Sequence, residues 1–138
     1  MSQPEPAPGW IEVDLDAIAH NSRLIREHVG RSRLMMAVVK ANAYGHGAVA
    51  VASRLVSEGV ELLGVATAAE GLELRSAGIR SPVVVLGASH PLELPTMAAA
   101  GLTPSVYGRH FLDALLKTRG STGAPPPFRY EWREGSAA

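Results

Sequence analysis

The sequence contains no cysteine, which excludes disulfide bonds, thiolate-ligated metal sites and cysteine nucleophiles. Its 13 basic and 13 acidic side chains give a net charge of zero, without a basic stripe, so the electrostatic footprint of a nucleic-acid-binding protein is missing. No apolar run approaches the roughly 18 residues that a membrane-spanning helix needs. The first nine residues lack the basic and apolar segments of a secretory signal. These absences predict a soluble, cytoplasmic protein.

The composition is that of a folded domain with irregular ends. Apolar residues make up 46% and charged residues 19% of the 138-residue chain, so it can bury a core as one domain or as half of a larger one. Residues 1–9 are rich in proline, and residues 120–138 begin with a Gly-, Ser- and Pro-rich stretch. Both ends are predicted to be disordered. Residues 10–119 remain as the predicted domain.

Four apolar runs alternate with helical segments along this domain. A short strand at residues 10–13 and a helix capped by Asp14 or Asp16 and ending near Val29 precede them. The runs are uniformly apolar instead of alternating, which is typical of strands buried on both faces of a parallel sheet. They comprise residues 34–39, 62–66, 82–86 and 102–106.

Four successive βα units predict an α/β fold. The units lack the glycine fingerprint of a dinucleotide-binding fold, which favours a (β/α)₈ barrel of the TIM type. A complete barrel takes roughly 250 residues, so this chain supplies about half of one.

Lys40 is the first candidate for chemistry. It directly follows the first apolar run and is one of only two lysines, against eleven arginines. Active sites of βα barrels lie at the carboxyl ends of the strands. Apolar surroundings disfavour the charged form of an amine and favour a nucleophile. The alternative is that Lys40 simply extends into solvent.

The turn after Lys40 has two interpretations. The glycines at positions 45 and 47 precede a helix, where backbone N–H groups can approach an anion such as a phosphate, and Tyr44 can donate a hydrogen bond to it. Alternatively, this is an ordinary loop in which Asn42 forms a turn and the glycines provide positive φ angles.

Other polar residues are interpreted as structural. Thr67 and Glu70 have the spacing of a capping box at the start of a helix, so Glu70 and Glu73 are expected to cap and solvate that helix rather than act as paired acids. The histidines show no metal-ligand spacing, and no metal site is predicted. They are His20, His28, His46, His90 and His110.

Residues 37–47, Ala-Val-Val-Lys-Ala-Asn-Ala-Tyr-Gly-His-Gly, resemble the cofactor-attachment signature of the alanine racemases. Further similarity lies in the opening segment, in two later strands and in one helix start, and together it spans about residues 10–119. The matching positions are Trp10, Glu12, Asp14, Leu15, Ala17, Ile18, Asn21, residues 64–66, Glu70, Gly71 and residues 102–107.

The resemblance implies a pyridoxal 5′-phosphate-dependent isomerase that interconverts L-alanine and D-alanine and so supplies D-alanine for the bacterial cell wall. Lys40 would be catalytic and would bind the cofactor covalently, Tyr44 would hydrogen-bond the phosphate, and Leu86 would contact the pyridine ring. The implied fold is the N-terminal half of the barrel, and the implied assembly is a dimer.

The sequence departs from this family after residue 119. The family's second catalytic tyrosine reaches the site from the partner subunit, and the arginine that pairs with the pyridine nitrogen comes from later strands. Neither motif is matched here. The chain is therefore expected to be incomplete for catalysis alone and to form a homo-oligomer or pair with a complementary barrel half. The alternative is a non-catalytic half-barrel, or a protein that carries pyridoxal phosphate.

Overall fold

The computed structural model describes residues 9–122. Helices and strands alternate from the first strand onward, as the apolar runs predicted. The elements are α1 (Leu15–Val29), β1 (Met36–Val38), α2 (Lys40–Tyr44), α3 (Ala48–Ser57), β2 (Leu62–Val65), α4 (Ala68–Ser76), β3 (Val83–Val85), a 3-10 turn (Pro91–Glu93), α5 (Leu94–Ala99), β4 (Leu102–Pro104) and α6 (Arg109–Thr122).

The strands form one parallel sheet in the order β1-β2-β3-β4. One row of paired residues crosses the whole sheet, through Ala37, Leu63, Val83 and Leu102. Sequential parallel strands joined by helices are the repeating unit of a βα barrel. The predicted α/β half-barrel with four βα units is confirmed.

One face of the sheet carries the hydrophobic core. Leu63, Val65, Val83 and Val85 are 0–1% exposed because the helices cover this face. The same cluster includes these side chains from the helices: Val51, Ala52, Leu55, Leu74 and Met97. Burial of this continuous apolar layer is the main force that holds the helices on the sheet.

The opposite face of the sheet is less covered. Met36 and Val38 are 41% and 38% exposed, whereas Ala37 between them is only partly exposed. They lie near Gly64, where an added Cβ would lie 3.2 Å from Met36 Sδ and 3.4 Å from Val38 Cγ2. We call this surface, formed by Met36, Val38, Gly64 and Leu86, the inner face. In a closed barrel the corresponding surface is filled by side chains from the opposing strands.

The segment before the sheet differs in part from the prediction. Asp14 caps α1 by accepting hydrogen bonds from the Asp16 and Ala17 backbone N–H groups at 2.9 and 3.0 Å. The predicted strand at residues 10–13 is wrong, since these residues form no strand. Trp10 and Ile11 are 81% and 83% exposed. An alternating pattern needs a neighbouring strand to pair with, and the described residues place none beside this segment.

The last helix extends past the predicted domain boundary. The predicted domain ends at residue 119, but α6 continues to Thr122. The rest of the predicted disordered tail, residues 123–138, and the predicted disordered start, residues 1–8, lie outside the described residues. Within residues 9–122, no helix is both long enough and apolar enough to cross a membrane.

A charged cluster joins α1 to the start of β1 and β2, at the sheet edge opposite Lys40. Glu61 accepts hydrogen bonds from the Met35 backbone N–H at 2.9 Å and from Arg26 at 2.5 Å. Arg26 also donates to the Arg33 carbonyl at 2.6 Å. The Met35 N–H and then Arg26 lower the pKa of Glu61, because both stabilise the carboxylate.

Candidate active site

Lys40 lies at the carboxyl-terminal edge of the sheet, where βα barrels place their catalytic groups. The last hydrogen bond between β1 and β2 runs from the Val39 N–H to the Gly64 carbonyl at 2.8 Å, and Lys40 comes next. Val39 is buried, but Lys40 is exposed. The sequence predicted apolar surroundings for this amine. Residues 9–122 leave Lys40 exposed, so that prediction is wrong within this range. Within that range the amine has no ion-pair or hydrogen-bond partner.

Lys40 opens a short segment of unusual backbone conformation. Residues Ala41, Asn42, Ala43 and Tyr44 all have positive φ angles, between 51° and 54°. These angles make α2 a single left-handed turn, which we call the lysine turn. Left-handed conformation costs an L-residue with a Cβ roughly 1–2 kcal/mol, so four such residues in succession form a strained segment. Nothing in the sequence pattern predicted this conformation.

The lysine turn is closed by its own hydrogen bonds. Asn42 Oδ1 accepts from the Ala48 N–H at 2.8 Å, and the Asn42 carbonyl accepts from the Gly47 N–H at 2.9 Å. The His46 N–H donates to the Ala43 carbonyl at 3.1 Å. The N–H groups of His46, Gly47 and Ala48 are thus engaged within the segment, so these three do not bind an anion, and the predicted anion site at the helix start stays a prediction. The alternative, a loop in which Asn42 forms the turn, is confirmed.

Glycine is needed at two positions of this loop. Gly45 and Gly47 have φ angles of +86° and +91°, in the region that glycine adopts without steric cost. They reverse the chain after the lysine turn and lead it into α3, whose first residue is Ala48. The sequence-based assignment of positive φ angles to both glycines is confirmed.

Tyr44 and Leu86 lie on the same edge of the sheet as Lys40. Tyr44 ends the lysine turn with 60% of its surface exposed, and its hydroxyl has no partner within residues 9–122. Leu86 follows β3, and its N–H donates to the Val65 carbonyl at 2.7 Å. An added Cβ on Gly64 would lie 3.0 Å from Leu86 Cδ1. Leu86 therefore belongs to the inner face beside Val38, two residues before Lys40.

Glu70 has a second contact that sequence reasoning missed. The predicted capping box is present: the Thr67 hydroxyl accepts from the Glu70 N–H, and the Glu70 carboxylate accepts from the Thr67 N–H, both at 3.3 Å. Glu70 also accepts a hydrogen bond from the Ala41 N–H at 2.8 Å. The capping spacing signals only the first role, because the second joins residues 29 positions apart.

No metal centre is found in the described part of the chain. Within residues 9–122, no three His, Asp or Glu side chains are grouped to hold a metal ion. The predicted site residues at the carboxyl edge of the sheet instead supply an amine (Lys40), a phenol (Tyr44) and an apolar contact surface (Leu86). Together they are suited to an organic ligand with a carbonyl group, an anionic group and a flat ring.

Comparison with known proteins identifies the family to which this chain belongs. The profile of "Alanine racemase, N-terminal domain" matches residues 13–130, well over half of the chain. The chain belongs to the alanine racemase family. Alanine racemase 1 of Caldanaerobacter subterraneus is 46% identical over 110 residues, which cover 80% of this chain.

Solved alanine racemase structures share the fold. The alanine racemase of Clostridium difficile superposes with a TM-score of 0.80 and 34% identity over 87% of this chain. The Bacillus anthracis alanine racemase, solved with bound L-Ala-P, gives a TM-score of 0.79 and 38% identity over 87% of this chain. The match covers 28% of the Caldanaerobacter protein and 32% and 31% of these two structures. This alanine racemase family chain thus spans about a third of the length of such relatives.

Proposed function

We propose that this chain is the pyridoxal 5′-phosphate-binding part of an amino-acid racemase that interconverts L-alanine and D-alanine. The observation that supports this most directly is the position of Lys40, immediately after the last β1–β2 hydrogen bond at the carboxyl edge of the sheet. The chain belongs to the alanine racemase family, and the resemblance of residues 37–47 to that family's attachment signature implies that the cofactor is bound covalently at this lysine. The predicted location in the cytoplasm remains a prediction.

The residues at this edge fit the proposed cofactor. The Lys40 amine is free to react with an aldehyde, and the free Tyr44 hydroxyl can donate a hydrogen bond to a phosphate. Leu86 offers an apolar side chain for one side of a pyridine ring. We propose these three as the cofactor-binding residues of the chain, with Lys40 also catalytic.

The chemistry divides between the cofactor and the protein. When bound, pyridoxal phosphate supplies an electron sink for the carbanion that forms when Cα of the amino acid loses its proton. The Lys40 amine takes or returns a proton at one face of Cα. Inversion of the amino acid needs a second acid–base group on the opposite face of Cα. We assign no residue within 9–122 to that role. We therefore propose that a second copy of the chain or a complementary barrel half completes the site.

Cofactor attachment is tested by reduction and mapping. The 138-residue chain is incubated with pyridoxal phosphate, reduced with borohydride, digested and analysed by mass spectrometry. We expect the reduced adduct on Lys40 and its loss in Lys40→Arg, while Lys117→Arg retains it. An adduct on Lys117 or on the N-terminal amine, with Lys40 unmodified, would contradict the proposal.

Turnover separates the racemase from its alternatives. The chain with cofactor is incubated with L-alanine, and D-alanine is measured by chiral chromatography, with Lys40→Arg as the control. D-Alanine formation that depends on Lys40 supports a racemase assembled from this chain alone or from an oligomer. Lys40 modification without D-alanine supports a non-catalytic half-barrel that carries the cofactor, or one that needs its complementary half.

A further inference from the structure

We propose that Glu70 is a positioning residue for Lys40, in addition to its role in the helix cap. Its Oε1 accepts a hydrogen bond at 2.8 Å from the N–H of Ala41, the residue directly after the lysine. The hydrogen bond between Glu70 and Ala41 is seen directly in the structure. Only its consequence for cofactor attachment depends on the proposed function.

The two oxygens of Glu70 serve different segments. Oε2 accepts from the Ala66 N–H at 2.6 Å and from the Thr67 N–H at 3.3 Å, at the end of β2 and the start of α4. Oε1 accepts from Ala41 in the lysine turn. An ionised carboxylate suits this task because it has acceptors on both oxygens and none of its atoms is a donor. Hydrogen bonds to a charged acceptor are also stronger than those between neutral groups.

These contacts hold Lys40 on both sides. The Val39 N–H, before the lysine, donates to the Gly64 carbonyl in β2 at 2.8 Å. The Ala41 N–H, after it, donates to Glu70 in α4. The segment from β2 to α4 therefore anchors the residue before Lys40 and the peptide group after it, and this constrains the direction in which the lysine side chain leaves the backbone.

The internal hydrogen bonds of the lysine turn fix its shape, and its position on the sheet is held by the buried Ala43 side chain and by the Glu70 contact. Left-handed residues persist only where the surroundings determine them. Among residues 9–122, Glu70 is the side chain outside the segment 39–48 that hydrogen-bonds to this turn. Without it, the peptide after Lys40 loses its hydrogen bond to α4 and the strain of the turn is less well opposed.

A purely structural role in the helix cap is the competing explanation, and Thr67 separates the two. Thr67→Ala removes the other half of the capping box and leaves the Glu70 contact with Ala41 in place. Glu70→Ala removes both. Glu73→Gln, at an exposed position of the same helix, controls for the loss of one negative charge.

The first measurement is hydrogen–deuterium exchange at the Ala41 amide in the full 138-residue chain. We expect exchange to become about tenfold faster in Glu70→Ala, from the loss of a hydrogen bond to a charged group, and to stay within about twofold of wild type in Thr67→Ala and Glu73→Gln. Unchanged exchange in Glu70→Ala, or equal acceleration in Thr67→Ala, would overturn the proposal. If Glu70→Ala does not fold, Glu70→Asp replaces it: it keeps the charge but withdraws the carboxylate by one methylene, and unchanged Ala41 exchange in that variant would also refute the tether.

The second measurement is the reactivity of Lys40, with Lys117 as an internal reference. Acetic anhydride and, separately, pyridoxal phosphate with borohydride are applied, and the ratio of modification at the two lysines is measured by mass spectrometry. The ratio of Lys40 to Lys117 modification should change about threefold or more in Glu70→Ala. It should stay unchanged in Thr67→Ala, with each variant assayed equally far below its own melting temperature. The same ratio in both variants would show that Glu70 acts only on the helix. If pyridoxal phosphate misses Lys40 in the wild-type chain, the proposed function fails, whereas amide exchange and acetylation still decide the role of Glu70.

Discussion

The hydroxyl of Tyr107 donates a hydrogen bond to the backbone carbonyl of Leu86, 21 residues earlier in the sequence. This contact joins the loop after β4 to the end of β3, at the edge of the sheet that carries Lys40. Ser105 reinforces it, because its N–H and its hydroxyl donate to the Val85 carbonyl at 3.1 and 2.7 Å. Leu86 is therefore held by its neighbouring strands on both sides.

Tyr107→Phe tests how much this hydrogen bond contributes. The ring remains and 64% of the tyrosine surface is exposed, so the substitution removes little besides the hydroxyl contact. We expect the free energy of unfolding to fall by about 1 kcal/mol, measured by thermal or urea denaturation. Unchanged stability would show that the Leu86 carbonyl is equally well satisfied by solvent.

Strain in the lysine turn is measurable with a matched pair of glycine substitutions. Ala41 is exposed and left-handed, whereas Ala50 is exposed and lies within the right-handed helix α3. Both substitutions carry the backbone-entropy cost of glycine, about 1 kcal/mol, but Ala41→Gly also relieves the left-handed penalty. We expect Ala41→Gly to be the more stable variant by about 1–2 kcal/mol in urea denaturation. Equal destabilisation by the two substitutions would contradict a strained turn.

Glu61 predicts a pH-dependent contribution to stability. Its folded-state pKa is lowered, first by the Met35 N–H and then by Arg26, so the stabilisation is present above the pKa of the unfolded chain and is lost as the pH falls through the folded pKa. We expect Glu61→Gln to melt lower than wild type at neutral pH and the difference to shrink below about pH 4. Melting curves across this range give the answer, with Glu27→Gln as an exposed control. A constant difference at all pH values would refute this explanation.

The inner face predicts self-association. Met36 and Val38 expose apolar surface there, and both β1 and β4 are edge strands of the described sheet. We expect the chain to elute from a sizing column as more than a monomer and Met36→Lys to shift it toward the monomer. Leu92→Lys, at an apolar side chain that is 81% exposed elsewhere, is the control and should not shift it. A sharp monomeric peak with cooperative melting of the wild-type chain would refute the prediction.

The local sequence was sufficient where one short pattern decides the structure. The Asp14 cap of α1 and the capping box of α4 are where side-chain chemistry placed them. The four apolar runs form four parallel strands, and each strand is shorter than its run. An apolar run indicates which residues are buried, whereas a strand extends only as far as its residues pair with those of a neighbouring strand. The segment at residues 10–13 had a strand-like pattern without such a partner, and it formed no strand.

The order of strands and helices, the position of Lys40 at the end of a strand and the family of the chain can all be read from the amino-acid sequence. These properties follow from burial periodicity and from contiguous residues, which act over a few positions. Three features become visible only in the folded chain: the left-handed lysine turn, the exposure of Lys40, and the contact of Glu70 with the peptide after Lys40, 29 residues away. Such contacts arise when β2 and α4 pack against β1 and bring groups that are distant in sequence within hydrogen-bond distance. Local sequence patterns span only a few positions and therefore do not predict them.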